Sequence, residues 1–138
     1  VGSGVYHDLV YHYPEQVKGI DFKAKTVKEH QKNNRDVIYA DIMDKDFWEK
    51  INLTEISVVF LSLPDFHKNI FTIVQLKKKG FQGTISVIAM YSNEIAPLKE
   101  AGADTVYNFY SEAGIGFAEH MRHDLSASKK ELGKNIGD

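Results

Sequence analysis

The stretches Ser57-Val58-Val59-Phe60-Leu61-Ser62-Leu63 and Thr84-Ile85-Ser86-Val87-Ile88-Ala89-Met90 decide the fold of this chain. Both runs are apolar at successive positions, and parallel strands that are covered on both faces have this near-continuous pattern. The sequence between them has the apolar spacing of a helix and ends at Gly80, a residue type that commonly follows a helix. A strand, a helix and a strand joined by short connections predict a parallel βαβ unit.

The same alternation of strands and helices extends over most of the chain. The predicted strands are Val17–Phe22, Asp36–Ala40, Ser57–Leu63, Thr84–Met90 and Thr105–Asn108. The predicted helices are 4–12, Lys23–Asn33, Asp44–Lys50, Phe66–Lys79, Glu94–Ala101 and about Glu112–Asp124. The sequence therefore predicts an α/β fold with a doubly wound parallel sheet and helices on both faces. We assign residues 1–125 to this domain and residues 126–138, which are almost all polar, to a tail or linker.

The composition is that of a single globular domain. The chain has 138 residues, of which 43% are hydrophobic and 26% charged, and its net charge is −2. A charge this close to balance gives no general attraction for nucleic acid or anionic lipid. The absence of cysteine excludes disulfides and thiol catalysis, and no apolar run approaches the about 18 residues of a membrane span. We therefore expect a soluble, cytosolic domain that binds no nucleic acid.

A glycine-rich turn and a later acidic residue form part of a dinucleotide-binding pattern. Gly2 stands at the start of the first helix, and Asp21 closes the first predicted strand nineteen residues later. In such a pattern the helix N-terminus binds the pyrophosphate, and the carboxylate accepts hydrogen bonds from the ribose hydroxyls. Asp21 would also repel a 2′-phosphate. Only the last glycine of G-x-G-x-x-G can be present, so an ordinary helix start and a strand-end aspartate explain the same residues.

Two further strand ends carry candidate ligand-binding residues. Asp41 follows the second strand and could accept a hydrogen bond from an adenine amino group, with Ile42 and Met43 against the ring. Leu63-Pro64 follows the third strand and would lie at the same edge of the sheet, where ligands of open α/β sheets bind. Alternatively, Asp41 and Asp44 only cap the following helix, and Asp44 is the better placed of the two.

Five short motifs follow one another in the order of a known family. They are Val1-Gly2, Asp21, Ala40-Asp41-Ile42, Leu63-Pro64-Asp65 with Asn69, and Ala101-Gly102-Ala103-Asp104. Over about residues 1–125 the sequence resembles the TrkA-N or RCK type of nucleotide-binding domain, which regulates potassium channels and transporters. It is most similar to the cytosolic domain of Kef-type cation/proton antiporters, in which the family's first strand and its G-x-G-R turn come before the part that matches here. We therefore expect this sequence to start inside the domain and the sheet to be interrupted.

The resemblance implies a Rossmann-type fold and a ligand that is NAD(H) or an adenine mononucleotide such as AMP or ATP. The implied nucleotide-binding residues are Val1, Gly2, Asp21, Phe22, Ala40, Asp41, Ile42, Met43, Leu63, Pro64 and Asp65. Ala40 stands where the family usually has glycine, which is tolerable unless the backbone there has a positive φ. Met90-Tyr91 stands where glutathione-gated members commonly have arginine, which argues against glutathione sensing.

The resemblance further implies a regulatory domain that is not an enzyme and lies on the cytoplasmic side of the cell membrane. Its partners would be a membrane transporter domain, of the same or another chain, and a second copy, because Ile115, Phe117 and Met121 make the last helix apolar. The alternative is the cofactor domain of an NAD-dependent oxidoreductase, separated from its substrate domain. His120 and His123 could share a helix face, but an exposed helix of mixed charge explains them better than a metal site.

Overall fold

A computed structural model describes the backbone of residues 1–136 and the side chains of residues 1–134. The strands are β1 (Gly19–Asp21), β2 (Val37–Tyr39), β3 (Val58–Leu61), β4 (Thr84–Ala89) and β5 (Thr105–Asn108). The helices are α1 (Gly2–His12), α2 (Ala24–Lys32), α3 (Lys45–Lys50), α4 (Phe66–Lys78), α5 (Ile95–Ala101) and α6 (Phe109–Ile136). Every predicted strand and helix is present, and apart from α6 the ends differ from the prediction by no more than two residues.

The strands form two parallel sheets, β1-β2 and β3-β4-β5. All pairs are parallel, with Gly19 opposite Val37, Val58 opposite Thr84, and Ser86 opposite Thr105. Each pair is joined by a crossover that contains a helix, as parallel pairing requires. The predicted α/β fold with flanking helices is confirmed. Within the described residues no strand pairing joins the two-stranded sheet to the three-stranded one.

The main core lies between one face of the three-stranded sheet and helices α4 and α5. Ile85 of β4, Ile73 of α4 and Leu98 of α5 have no exposed surface. Trp48 of α3 and Leu61 of β3 extend the same apolar cluster. Because side chains alternate along a strand, only every second residue of β3 can reach this core.

The opposite face of the three-stranded sheet is open, which corrects the prediction that β3 is covered on both faces. Phe60 is 48% exposed, and Val58 of β3 and Tyr107 of β5 are exposed as well. A groove of about 770 Å³ lies between this face, α1 and the start of α6. Both faces of β3 carry apolar residues, so the sequence pattern of this strand does not show which face is buried.

Helix α6 is longer than the sequence predicts. We expected a helix to about Asp124 and then a polar tail, whereas the structure has one helix from Phe109 to Ile136. Ala, Lys, Glu and Leu dominate residues 125–132, and all four have high helix propensity, so low apolar content does not prevent a helix here. Gly137 and Asp138, the end of the predicted tail, lie outside the described residues.

Candidate functional site

Three predicted carboxylates follow the ends of parallel strands and so lie along one edge of the molecule. Asp21 ends β1, Asp41 follows β2, and Asp65 follows β3. One oxygen of each accepts a hydrogen bond from a nearby backbone N–H, at 2.8 Å from Lys23, 2.9 Å from Met43 and 3.1 Å from Lys68, respectively. Within residues 1–134 the second oxygen of each carboxylate makes no hydrogen bond. Each aspartate thus fixes the loop after its strand and retains an acceptor oxygen.

Two side-chain hydrogen bonds hold the loop after β2. Asp44 caps α3 by accepting a hydrogen bond from the backbone of Asp46, as the capping interpretation expects. The indole of Trp48 donates a hydrogen bond of 2.6 Å to the carbonyl oxygen of Ile42. Ile42 packs against the main core, whereas Met43 is exposed. Asp41 accepts a hydrogen bond from the backbone of Met43 and is not the cap of α3, and both Asp41 and Met43 are exposed.

The Leu63-Pro64 loop is tied to the middle of the sheet by a buried amide. Asn69 on α4 is only 2% exposed, and its Nδ2 donates to the carbonyl oxygen of Leu63 at 2.9 Å and to that of Ile88 at 3.5 Å. Its Oδ1 is buried without a hydrogen-bond partner among the described residues. The amide therefore joins the carboxyl ends of β3 and β4. Sequence analysis noted Asn69 only as part of a motif and missed this role.

The first turn of α1 approaches the end of β3. A Cβ on Gly2 would lie 3.8 Å from the Cβ of Ser62, an ordinary contact, so packing within the chain does not require glycine at this position. Val1 is exposed, and its apolar side chain makes no capping hydrogen bond to α1.

Ala40 joins the ends of β1 and β2, because its N–H donates to the carbonyl oxygen of Asp21 at 3.1 Å. It is not among the residues with positive φ, so its methyl group is accommodated without strain where the family usually has glycine.

Two lysines that sequence analysis missed surround Phe22, the residue after β1. The Nζ of Lys68 lies 4.8 Å from the centre of the Phe22 ring, and the Nζ of Lys23 lies 5.9 Å from it. Phe22 is 44% exposed. Lys68 belongs to the first turn of α4, so its contact with Phe22 joins the start of α4 to the end of β1. The sequence held no signal for this contact, because it depends on how β1 and α4 are placed in space.

The described part of the chain contains no candidate metal-binding cluster and no candidate membrane span. No three His, Asp or Glu side chains come together there in a way that could hold a metal ion. His120 instead lies 3.5 Å from Asp124, one helical turn further along α6. None of the helices in residues 1–136 is both long enough and apolar enough to cross a membrane.

Solved structures of similar fold include the following three proteins. The NAD(P)-binding domain of an exopolyphosphatase-related protein from Archaeoglobus fulgidus superposes with a TM-score of 0.76 at 19% identity, over 88% of this chain and 90% of that one. The TrkA-N domain of inner membrane protein YbaL from Escherichia coli gives 0.76 at 18% identity, over 86% and 87%. The GsuK channel bound to NAD gives 0.73 at 21% identity, over 87% of this chain but only 21% of that one.

Sequence comparison gives the family. Among curated proteins no sequence matches the chain significantly. A family model does match residues 1–109, which contain all five strands and the three strand-end aspartates. The order of the motifs, the parallel strands and the three strand-end aspartates agree with this match. The chain therefore belongs to the TrkA-N domain family.

Proposed function

We propose that this chain is the nucleotide-sensing regulatory domain of a potassium efflux or cation/proton antiporter system, and that it has no catalytic activity of its own. The observation that carries the proposal is that Asp21, Asp41 and Asp65 follow the ends of parallel strands in a TrkA-N domain and each keep one carboxylate oxygen without a hydrogen bond in the described residues. Open α/β sheets bind nucleotides at this edge. The TrkA-N fold neighbours include a channel structure with bound NAD and another with ADP.

The proposed ligand is NAD(H) or an adenine mononucleotide. Its ribose hydroxyls donate to the free oxygen of Asp21, and its phosphates accept from the first N–H groups of α1. The adenine lies against Met43, with its amino group on the free oxygen of Asp41. Because the indole of Trp48 fixes the carbonyl of Ile42, the adenine side of the site is formed before the ligand arrives.

Calorimetry with NAD⁺, AMP and ATP on Asp21→Asn tests the ligand proposal. The asparagine oxygen still accepts the hydrogen bond from Lys23, so the turn is retained while the negative charge is lost. We expect binding to weaken by about 1–3 kcal/mol, the scale of a hydrogen bond to a charged group.

The matched control is Asp36→Asn. Asp36 precedes β2, at the opposite edge of the sheet, and its carboxylate lies 3.9 Å from Lys18 in an exposed ion pair. Equal affinity of the wild type and the Asp21 variant would remove Asp21 from the site.

We further propose that the domain is a homodimer formed through α6. Helix α6 is about 42 Å long at 1.5 Å per residue. All its side chains from Tyr110 to Lys134 are exposed, so the rest of the chain does not cover it. Four exposed apolar residues recur at spacings of four or seven and share one side of the helix: Phe117, Met121, Leu125 and Leu132. This stripe matches itself in a second copy, and two-fold dimers are the commonest assembly.

Contacts at the start of α6 connect the proposed dimer helix with the loop after β4. Asn108, the last residue of β5, donates to the Ser92 hydroxyl at 3.0 Å and accepts from the backbone of Ser111 at 3.3 Å. The rings of Tyr91 and Tyr110 lie 5.5 Å apart beside these bonds. Thus the start of α6 is tied to the loop that follows the carboxyl end of β4. Nucleotide that binds one arrangement of the paired domains more tightly would bias the transport gate.

The transporter and the lack of catalysis are tested separately. Cross-linking in native membranes, followed by mass spectrometry, should capture a transporter on the cytoplasmic side of the membrane. Capture of enzymes alone would favour the cofactor domain of an oxidoreductase. Chromatography of the nucleotide after long incubation with the protein should recover it unchanged, and hydrolysis or reduction would contradict a purely regulatory role.

A further inference from the structure

A polar cavity of about 370 Å³ lies between α1 and the turn that joins α2 to β2. Its lining residues are Tyr6, His7, Val10, Asn33, Asn34 and Arg35. Of these lining side chains none is a carboxylate, and one carries a full positive charge. The volume falls within the range of small-molecule sites, about 300–1,000 Å³. The turn precedes β2, whereas the three strand-end aspartates follow parallel strands, so the cavity and the candidate nucleotide site lie at opposite edges of the sheet.

The positive charge in this cavity is held in place without a carboxylate partner. Nη1 of Arg35 donates a hydrogen bond of 3.0 Å to Nδ1 of His30, and the backbone N–H of Arg35 donates to the carbonyl oxygen of His30 at 3.1 Å. Arg35 is half-buried, and no carboxylate of residues 1–134 lies within ion-pair distance of it. A guanidinium has five N–H donors, so most of them remain available after the bond to His30.

Two further donors at the cavity have no acceptor within residues 1–134. The hydroxyl oxygen of Tyr6 accepts a hydrogen bond of 2.7 Å from the backbone N–H of Asp36, which leaves its own proton free to donate. The side-chain amide of Asn34 makes no hydrogen bond there, although the backbone N–H of Asn34 donates to the carbonyl oxygen of Gln31 at 3.0 Å. A guanidinium, a phenol and an amide therefore surround one concavity with unused donors.

We infer that this cavity is a second ligand site, which binds the carboxylate or phosphate group of a small anionic metabolite. An ionised oxygen accepts hydrogen bonds from several donors at once, and its charge offsets that of Arg35. The planar fork of an arginine suits both acidic groups, because it can donate two parallel hydrogen bonds to either. The inference goes beyond the proposed nucleotide site and does not depend on it, since the two sites share no residue.

A purely structural role of Arg35 makes a different prediction. If the guanidinium only holds His30 and the end of α2, then Arg35→Gln lowers stability, and small anions have no effect on the cavity residues. Asn34→Gly separates the two roles. Asn34 has a φ of +56°, which glycine adopts readily, so the turn is retained while the amide donor is lost.

Titration of the whole chain with sodium phosphate, and separately with sodium succinate, tests the inference by NMR at an ionic strength held constant with sodium chloride. We expect the backbone amide signals of residues 33–36 to shift saturably with at least one of the two anions, which also identifies the acidic group. Arg35→Gln and Asn34→Gly should each weaken that binding about tenfold or more, the scale of hydrogen bonds to a charged group. The matched control is Lys32→Gln, which removes an equal charge from the last turn of α2 but does not line the cavity. Its affinity should stay within about twofold of the wild type, because exposed charges are screened.

The outcomes distinguish an anion site from a general response to charge. Shifts that do not saturate with either anion overturn the site, and so does wild-type affinity in Arg35→Gln or in Asn34→Gly. An equal loss in Lys32→Gln also overturns it, since total charge would then explain the binding. Displacement of the anion by saturating NAD⁺ would overturn a separate site as well. Saturable anion binding by a chain that binds no nucleotide would support this site and reject the proposed function alone.

Discussion

Replacing Phe117 by aspartate is expected to dissociate the proposed dimer into folded monomers. Phe117 is 69% exposed in the single chain, so the substitution removes no core side chain. The helix itself should persist, because the flanking residues of α6 are unchanged. In a two-fold dimer the change acts twice, and it places two carboxylates in an apolar stripe where each would lose solvation.

The size of the effect follows from the exposed surface of the ring. Burying a fully exposed phenylalanine is worth about 3 kcal/mol, so covering the exposed part of Phe117 is worth about 2 kcal/mol per copy. Two copies lose about 4 kcal/mol, which raises the dimer dissociation constant about a thousandfold. Desolvation and repulsion of the two carboxylates add to that loss.

Sedimentation equilibrium at micromolar concentrations measures the change, with circular dichroism to verify the fold. The matched control is Ile115→Asp, because Ile115 is 52% exposed on the same helix but lies about 160° around the axis from Phe117. This control should remain dimeric, although the sequence-based prediction grouped Ile115 with Phe117 and Met121. A wild-type monomer at high micromolar concentration, or equal dissociation of both variants, would refute the assignment of the interface to the stripe.

Three other substitutions should show measurable effects. Gly102 has a φ of +124°, which a residue with a Cβ adopts only with strain, so Gly102→Ala should lower the free energy of unfolding in urea by about 1–3 kcal/mol. An unchanged urea midpoint would show that the turn relaxes. Trp48→Phe removes the 2.6 Å bond to Ile42 and should weaken AMP binding in calorimetry more than the binding of a phosphate-only probe such as pyrophosphate. Asn69→Ala deprives the Leu63 carbonyl of its donor and should destabilise the fold by about 1–3 kcal/mol. In Asn69→Ala, amide exchange should rise first at the ends of β3 and β4, and uniform exchange would contradict the local role.

Local signals in the sequence were sufficient to predict most of the helices and strands. The strand Thr105–Asn108 was predicted with its observed bounds. Helix α4 begins after Asp65, which caps it, and ends before Gly80, which has a positive φ. Such boundaries depend on residues close together in the chain, so a single sequence contains the information. The order of five short motifs predicted the family, and the match of the family model confirmed it.

Contacts between distant parts of the chain could not be predicted in the same way. Lys68 and Phe22 are far apart in sequence, and only the placement of α4 beside the end of β1 brings them together. The open face of β3 was missed because Val58 and Phe60 are apolar, and an apolar pattern does not show whether a helix covers it. Low apolar content does not reveal the length of α6, because helix propensity does not require an apolar face.

The strand-end aspartates show why capping and ligand binding need not be alternatives. Asp21, Asp41 and Asp65 each use Oδ1 for a backbone N–H and have a second oxygen without a hydrogen bond in the described chain. Asparagine retains the oxygen that fixes the loop and loses the charge, whereas alanine loses both. If Asp21 has both roles, Asp21→Asn should weaken nucleotide binding with little change in unfolding free energy, and Asp21→Ala should reduce both. Calorimetry and urea unfolding of the two variants separate the roles. If Asp21→Asn lost as much stability as Asp21→Ala, the charge itself would support the fold, and weaker nucleotide binding in Asp21→Asn would not show a ligand role.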